Sequence, residues 1–249
     1  MSQPIQVFDS QGTAYHDAFA VFLAHTDQKT VARAWLDQLA STLPNRRVLI
    51  DAGAGTGQTT AWLTGAFART IAAEPNPSLR ADLAKACPQA EVLGETILDA
   101  KPAAQGDLVL CSHVLYYIED ALWMAHLEKM ASWLAPEGVL VVILQNHETD
   151  CMKMLDHFLG RHFDLGALGR QFAAQHGGRY QIDIANVPAV IQTKTFETAM
   201  IVAEFMLNLL PLPAPPARAA VEAYVQQHFA TADGYRFTCN QDFLQIRPR

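Results

Sequence analysis

Residues 48–57 read Val-Leu-Ile-Asp-Ala-Gly-Ala-Gly-Thr-Gly, an apolar run that passes directly into a glycine-rich turn, and a helical pattern, TTAWLTGAF, follows shortly after. Glycine lets a backbone approach a ligand closely, because no Cβ intrudes and a positive φ costs little. The spacing is G-x-G-x-G, whereas a dinucleotide fingerprint needs a third glycine where this chain has Gln58. The stretch predicts a strand, a ligand-binding turn and a helix, and it argues against an NAD-dependent oxidoreductase.

Short apolar runs and helical patterns alternate on the carboxyl side of this turn. The predicted strands are TIAAEP (70–75), AEVLGE (90–95), DLVLCS (107–112) and GVLVVILQN (138–146). The predicted helices between them are PSLRADLAKAC (77–87), which opens at the proline favoured in a first helical turn, and ALWMAHLEKMASWL (121–134). This alternation predicts a parallel, doubly wound α/β sheet with helices on both faces.

The two ends of the chain carry further helical patterns. Residues 14–41 predict two helices. Near the C-terminus, RYQIDIANVPAVIQTKTF (179–196) reads as a strand with a proline-containing turn, PLPAPPA (211–217) as a link between two helices, and YRFTCNQDFLQIR (235–247) as one final strand. We expect a single domain over residues 1–249, in which about 1–45 form an N-terminal helical lid and about 46–249 the core.

Composition narrows the classes of partner. The formal charge is −7 and no basic run is present, which argues against nucleic-acid binding. The four cysteines lie far apart and form no CxxC pair, so the sequence predicts neither a metal site nor a dense disulfide framework. No run approaches the roughly 20 apolar residues of a membrane span, and MSQPIQVFDS lacks the apolar region of a signal peptide. We expect a cytoplasmic protein that acts on a small molecule.

Polar residues lie at the carboxyl ends of two of the predicted strands. Glu74 ends the strand after the glycine turn, 17 residues beyond Gly57, where a carboxylate can accept hydrogen bonds from both hydroxyls of a ribose. Ser112 and His113 lie at the carboxyl end of the strand 107–112, and ligands of open α/β sheets bind beyond such ends.

The glycine stretch has the form D-x-G-x-G-x-G and resembles the first motif of class I methyltransferases. The resemblance implies a Rossmann-like methyltransferase fold whose last strand is antiparallel, with S-adenosylmethionine (SAM) as cosubstrate. It also implies that the turn cradles the aminobutyrate part of SAM and that the loop after the third strand passes the adenine. The implied cofactor-binding residues are Asp51, Gly53, Gly55, Gly57, Glu74, Pro75, Glu95, Thr96, Ser112 and His113. Glu95 and Thr96 also suit the capping position of a helix.

Within that class, three segments resemble the histamine N-methyltransferase-like group: YHDAFAVFLAHTD (15–27), LYYIED (115–120) and FTCNQDFLQI (237–246). The resemblance implies that aromatic residues of the first helix close over the acceptor and that a carboxylate after it grips an amine. The implied catalytic residues are Tyr15, Asp27, Tyr117 and Asn146, and the implied pocket residues are Phe19, Phe22, Tyr116 and His147. Aromatic faces attract a sulfonium or a protonated amine, and ordinary core packing accounts equally well for Phe19 and Phe22. Asp27, His113 and His147 are candidate bases that keep an amine neutral.

Two departures put histamine itself in doubt. The segment QNHETDCMKMLDHF (145–158) lacks the tryptophan of the group, and the group's C-terminal carboxamide falls at Cys239, next to Asn240. The leading hypothesis is methyl transfer to a small amine or related nucleophile. The alternative is cyclisation of SAM itself to azetidine-2-carboxylate and methylthioadenosine, with Tyr15, Asn146 or Tyr117 holding the folded aminobutyrate. A third hypothesis is a SAM-binding protein without turnover.

Overall fold

The computed structural model describes residues 3–8 and 12–249. Residues 1–2 and 9–11 lie outside it, and they include part of the stretch on which the signal-peptide expectation depends. In the described part, the helices are α1 Thr13–His25, α2 Gln28–Thr42, α3 Gln58–Leu63, α4 Pro77–Ala86, α5 Trp123–Ala131, α6 Asp150–Leu159, α7 Leu165–His176, α8 Phe196–Leu207 and α9 Arg218–Phe229. The strands are β1 Val48–Ala52, β2 Arg69–Ala73, β3 Glu91–Leu93, β4 Gly106–Ser112, β5 Leu134–Gln145, β6 Tyr180–Val187, β7 Val190–Thr193, β8 Ala230–Thr231, β9 Gly234–Thr238 and β10 Gln241–Pro248.

The chain divides into two compact units. The first contains Met1–Val31, Gln145–Phe163 and Val187–Gln241, and the second contains Ala32–Leu144, Asp164–Asn186 and Asp242–Arg249. The expectation of one domain with an N-terminal lid stays a prediction.

The second unit is built on a seven-stranded sheet with the strand order β3-β2-β1-β4-β5-β10-β6. The pairs β3–β2, β2–β1, β1–β4 and β4–β5 are all parallel. All five residues of β1 are buried, as expected of a central strand covered on both faces. The predicted doubly wound, Rossmann-like methyltransferase fold is therefore confirmed, with its strand order reversing next to β1.

β10 is the antiparallel strand of this sheet. At one of its ends, the Arg249 N–H donates to the Arg179 carbonyl just before β6, and at the other Asn186 near the end of β6 donates to Asp242 at 2.7 Å. The Asn146 N–H, directly after β5, donates to the carbonyl of Asn240, directly before β10. β10 thus runs against both neighbours, and the antiparallel last strand is confirmed.

The first unit contains α1, α6, α8, α9 and a three-stranded antiparallel sheet in the order β7-β9-β8. Here the structure corrects the prediction of one final strand, because YRFTCNQDFLQIR breaks at Cys239 and Asn240 into β9 and β10, which belong to different sheets. RYQIDIANVPAVIQTKTF, predicted as a strand with a proline-containing turn, divides at Pro188 and Ala189 into β6 and β7, which also belong to different sheets. The two breaks pair with each other, because Cys239 N–H donates to the Ala189 carbonyl and the Ala189 N–H donates to Asn240 Oδ1.

Among the described residues, no helix combines the length and the apolar character that a membrane crossing requires.

Candidate cofactor and substrate site

The glycine turn adopts backbone angles that only glycine takes at low cost. Gly53, Gly55 and Gly57 have φ values of 79°, 57° and 82°, all in the left-handed region. A Cβ on Gly53 would lie 2.6 Å from a methyl of Val114, and a Cβ on Gly57 would lie 2.8 Å from a methyl of Leu83. A Cβ on Gly55 would meet nothing within 4 Å. The outer glycines therefore serve packing, while Gly55 presents bare backbone to open space.

Asp51 lies near the end of β1, just before this turn, and is a buried acid with 2% of its surface exposed. Thr60 Oγ1 on α3 donates to its carboxylate at 2.6 Å. Burial raises the pKa of Asp51 to about 6, and the negative charge of Glu74 adds to this rise, whereas the hydrogen bond from Thr60 opposes it. Asp51 thus joins the start of α3 to the end of β1.

Glu74 follows β2 and is also buried, with 6% of its surface exposed. The Gly55 N–H donates to its Oε2 at 2.9 Å, and the Asn76 N–H donates to its Oε1 at 2.8 Å. These two bonds fix the orientation of the carboxylate, and each carboxylate oxygen can accept a further hydrogen bond. Pro75, between the two, is exposed. The geometry fits a group that binds the paired hydroxyls of a ribose.

The loop after β3 holds Glu95 and Thr96, both exposed. Thr96 Oγ1 donates to Asp99 Oδ2 at 2.7 Å, and the Thr96 carbonyl accepts from the Asp99 and Ala100 N–H groups. Thr96 therefore caps a local turn, and the residues after it form a turn and not a helix. The adenine contacts of Glu95 and Thr96 stay a prediction.

Ser112 and His113 lie at the carboxyl end of β4, as predicted. His113 is the non-glycine residue with a left-handed backbone in the described chain, at φ 59°, and its N–H donates to the Ile143 carbonyl of β5 at 2.9 Å. Such conformations cost energy in a non-glycine residue and cluster at functional sites. The His113 ring stacks on Tyr116 with centroids 5.9 Å apart. Tyr116 is buried, whereas Tyr117 is 66% exposed.

The predicted acceptor residues of α1 lie in the first unit and gather around Phe205 of α8. The rings of Tyr15, Phe19 and Phe22 lie 5.5, 5.5 and 5.2 Å from the Phe205 ring. Phe22 is buried, Tyr15 and Phe19 are half-buried, and burial raises the pKa of Tyr15. Phe22 fits core packing, while Tyr15 and Phe19 retain exposed ring surface.

Asp27 follows α1 and is exposed. Its Oδ1 accepts from the Val190 N–H at 2.7 Å, and its own N–H donates to the Val190 carbonyl at 3.3 Å. The carboxylate therefore fastens the start of α2 to the start of β7. Its amine-binding role stays a prediction.

Asn146 and His147 follow β5 in the first unit. Asn146 Oδ1 accepts from the Glu148 N–H at 2.9 Å and so shapes the turn before α6. Nε2 of His147 lies 3.2 Å from a Glu148 carboxylate oxygen, and its ring meets His162 edge-on at 4.9 Å. Their catalytic and pocket roles stay predictions.

Three further residues shape the site without being predicted from the sequence: Thr60, Val114 and Arg80. Thr60 orients Asp51, Val114 packs over Gly53, and Arg80 donates to main-chain carbonyls beside Glu74. Thr60 could have been predicted from the sequence, because its hydroxyl lies nine residues after Asp51 at the start of the following helix. Val114 and Arg80 have no comparable sequence signal, because their partners are distant glycine and backbone atoms.

Solved structures share this fold at low sequence identity. The N-methyltransferase NodS from Bradyrhizobium japonicum WM9, in complex with S-adenosyl-L-homocysteine (SAH), is 13% identical, with 95% of this chain and 99% of that chain covered and a TM-score of 0.58. The YcgJ protein from Bacillus subtilis is 14% identical over 86% of this chain and 98% of that chain, with a TM-score of 0.59. DhpI in its SAH complex is 16% identical over 94% and 93% of the two chains, with a TM-score of 0.52.

No curated protein sequence matches the chain significantly. The family model described as a methyltransferase domain matches residues 23–181, which include the glycine turn, Glu74 and the loops after β3 and β4. The open backbone at Gly55 and the fixed carboxylate of Glu74 fit the aminobutyrate and the ribose of SAM. The chain belongs to this methyltransferase-domain family, in the class I superfamily whose cosubstrate is SAM.

Proposed function

We propose that the protein transfers the methyl group of SAM to a small amine or related small nucleophile, as in the histamine N-methyltransferase-like group. The observation that best supports SAM binding is the hydrogen bond between Gly55 and Glu74, because it places an open glycine backbone next to an oriented carboxylate. The small-amine acceptor is inferred from the aromatic residues of α1 and from Asp27.

The cosubstrate supplies a methyl carbon activated by a positively charged sulfur. The acceptor nitrogen attacks this carbon, the carbon–sulfur bond breaks, SAH leaves, and the nitrogen gives up a proton to a base or to water. Such a displacement needs alignment more than acid–base chemistry, and orientation supplies much of the acceleration. Gly55 and Glu74 would hold the SAM end of this arrangement.

The residues assigned to the acceptor have complementary chemistry. Tyr15 and Phe19 retain accessible ring surface beside Phe205, and aromatic faces attract cations by roughly 0.5–2 kcal/mol each. The exposed Asp27 offers a carboxylate that can bind a protonated amine before the amine loses its proton. Tyr15→Leu, which removes the aromatic face, and Asp27→Asn should raise the KM for the amine. Both should leave the Kd for SAM within about twofold, because neither residue belongs to the SAM-binding turn.

The test is mass spectrometry of the protein incubated with SAM, first alone and then with a panel of small primary and secondary amines. SAH formed together with a methylated amine, and only when an amine is present, supports the proposal. Failure of every amine to yield SAH while SAM stays bound and intact would contradict it.

Incubation with SAM alone also decides the alternative. In self-cyclisation the α-amino nitrogen attacks the γ carbon, the bond from that carbon to sulfur breaks, and methylthioadenosine leaves. Methylthioadenosine together with azetidine-2-carboxylate, above the rate without protein, would replace methyl transfer by cyclisation as the activity.

A further inference from the structure

Arg80 lies one turn into α4, and its guanidinium reaches back over the carboxyl ends of β2 and β3. Its Nη1 lies 2.7 Å from the Pro75 carbonyl, 3.0 Å from the Glu74 carbonyl and 3.4 Å from the Gly94 carbonyl. A single charged group thus binds the loop that follows β2 and the loop that follows β3. These are the loops that carry Glu74 and the predicted adenine-side residues Glu95 and Thr96.

The start of α4 fixes the side chain that makes these contacts. Asn76 caps the helix through its side chain, which accepts from the Ser78 and Leu79 N–H groups, and Pro77 occupies the first turn. The Arg80 N–H donates to the Asn76 carbonyl at 3.0 Å. Arg80 therefore stands on a rigid, capped helix end, and its half-buried position keeps the guanidinium against the two loops.

Gly94 makes room for this guanidinium. A Cβ at Gly94 would lie 3.3 Å from both Cζ and Nη1 of Arg80, which is tighter than ordinary van der Waals contact. Gly94 and Arg80 therefore form a complementary pair, in which the absence of a side chain on one permits the close approach of the other.

A main-chain hydrogen bond also joins the two loops where the strands end. The Glu74 N–H donates to the Leu93 carbonyl at 3.0 Å, where β2 and β3 end. Beyond that point Arg80 adds charge-assisted hydrogen bonds to main-chain carbonyls, which are stronger than bonds between neutral groups. Because the Glu74 carbonyl is one acceptor, the arginine acts on the same residue whose carboxylate faces the ribose.

We propose that Arg80 is a positioning residue for SAM, which locks the β2 and β3 loops together so that the adenosine half of the cosubstrate finds a preformed site. The inference rests on SAM binding and not on the identity of the acceptor. Its test needs no acceptor, so its failure is distinguishable from a failure of the amine proposal.

The experiment measures the Kd of SAM and of methylthioadenosine by calorimetry, together with the thermal midpoint of unfolding. Arg80→Met removes the donors and keeps an unbranched apolar stem. It should raise both Kd values roughly tenfold, the loss expected for hydrogen bonds to a charged group. Methylthioadenosine lacks the aminobutyrate, so an equal effect on both ligands assigns the defect to the adenosine half. Lys85→Met, on the same helix and bonded to Asp82, should change neither value.

A double-mutant cycle adds a test that a general loss of stability would not mimic. Gly94→Ala should push the guanidinium aside and raise the Kd about threefold, but it should add nothing when Arg80 is already Met. Gly65→Ala, where a Cβ meets nothing within 4 Å, is the matched glycine control.

Three outcomes would overturn the proposal: a lower thermal midpoint of Arg80→Met with unchanged Kd values, additive effects in the cycle, or a defect for SAM alone. If Arg80→Met does not fold, Gly94→Ala carries the test, with Gly65→Ala as its control. Unchanged Kd values for SAM and methylthioadenosine in Gly94→Ala would then exclude the positioning role.

Discussion

The Gly55 N–H donates to Glu74 Oε2 at 2.9 Å, so the turn after β1 and the residue after β2 are joined by a bond from bare backbone to a buried carboxylate. The same carboxylate accepts from the Asn76 N–H at 2.8 Å. Its position is therefore set before any ligand arrives, which limits the ordering that binding must impose. This bond places the glycine turn beside Glu74, as the proposed SAM site requires.

Glu74→Ala should weaken SAM binding at least tenfold, or about 1.4 kcal/mol, because the variant loses a charge-assisted contact to the ribose. Calorimetric titration with SAM measures the effect. Glu91→Ala is the control, since that exposed acid on β3 pairs with Arg69 and should leave the Kd unchanged. An equal Kd for Glu74→Ala and the parent protein would refute the ribose assignment.

Gly55→Ala should weaken SAM binding more than it weakens the stability of the fold. Its φ of 57° costs an L-residue roughly 1–2 kcal/mol, and the new methyl meets no protein atom within 4 Å. The methyl would instead occupy the space assigned to SAM, so the Kd should rise more than tenfold while the protein still folds. Titration and urea unfolding of the same sample measure both effects. A variant that loses stability but binds SAM normally would contradict this placement of the ligand.

Gly53→Ala should reduce the stability of the fold more than it reduces SAM binding. A Cβ there would lie 2.6 Å from a Val114 methyl, in addition to the cost of a φ of 79°. We expect a loss of about 3 kcal/mol in the free energy of unfolding, from overpacking and backbone strain together. Val114→Ala in the same chain should restore part of that loss, because it removes the clash and leaves the strain. No recovery in the double variant would mean that backbone strain accounts for the whole effect.

The sequence predicted the part of this site that local chemistry determines. The glycines, Asp51 and Glu74 were readable because a motif fixes their spacing and because strand ends meet at one edge of a parallel sheet. The break at Cys239 and Asn240 was not readable, since the alternating pattern continues through it and nothing local marks a change of sheet. Arg80 was also hidden, because its partners are main-chain carbonyls that any sequence would supply.

Asp51 should give folding stability a specific pH dependence. Burial raises its pKa from about 3.8 to about 6, so the folded state binds the proton more tightly than the unfolded state between these values. The free energy of unfolding should therefore fall as pH rises from about 4 to about 6, by up to about 3 kcal/mol, and then stay level.

Asp51→Asn should abolish that component, so the variant gains stability relative to the parent as pH rises through this window. Urea unfolding at several pH values from 4.5 to 7.5 measures the difference, in which groups common to both proteins cancel. Thr60→Val, which removes the hydrogen bond favouring the ionised acid, should extend the fall to higher pH. Parallel curves for the parent and Asp51→Asn would show that the acid titrates normally.

Asp107→Asn should destabilise the fold without affecting the ligand site. Asp107 lies near the amino end of β4, where its Oδ2 accepts from the Arg47 and Val48 N–H groups at 2.7 and 3.0 Å and its Oδ1 accepts from the Arg47 guanidinium at 2.8 Å. Burial opposes ionisation of Asp107, but these hydrogen bonds outweigh it and lower its pKa. Stabilisation by a carboxylate with a lowered pKa is present above its ordinary value and is lost as the pH falls below about 4.

The amide of asparagine has one oxygen and one NH2 group, so it can accept hydrogen bonds on one side only. We therefore expect a loss of about 2 kcal/mol in the free energy of unfolding at neutral pH. Because ligands of such sheets bind beyond the carboxyl ends of the strands, the Kd for SAM should stay within about twofold. Urea unfolding and titration of the folded variant measure the two quantities, with Glu137→Gln, an exposed acid that accepts from Asn45, as the control. A weakened Kd in Asp107→Asn would mean that the amino ends of β1 and β4 are coupled to the SAM site, which the separation of the two strand ends argues against.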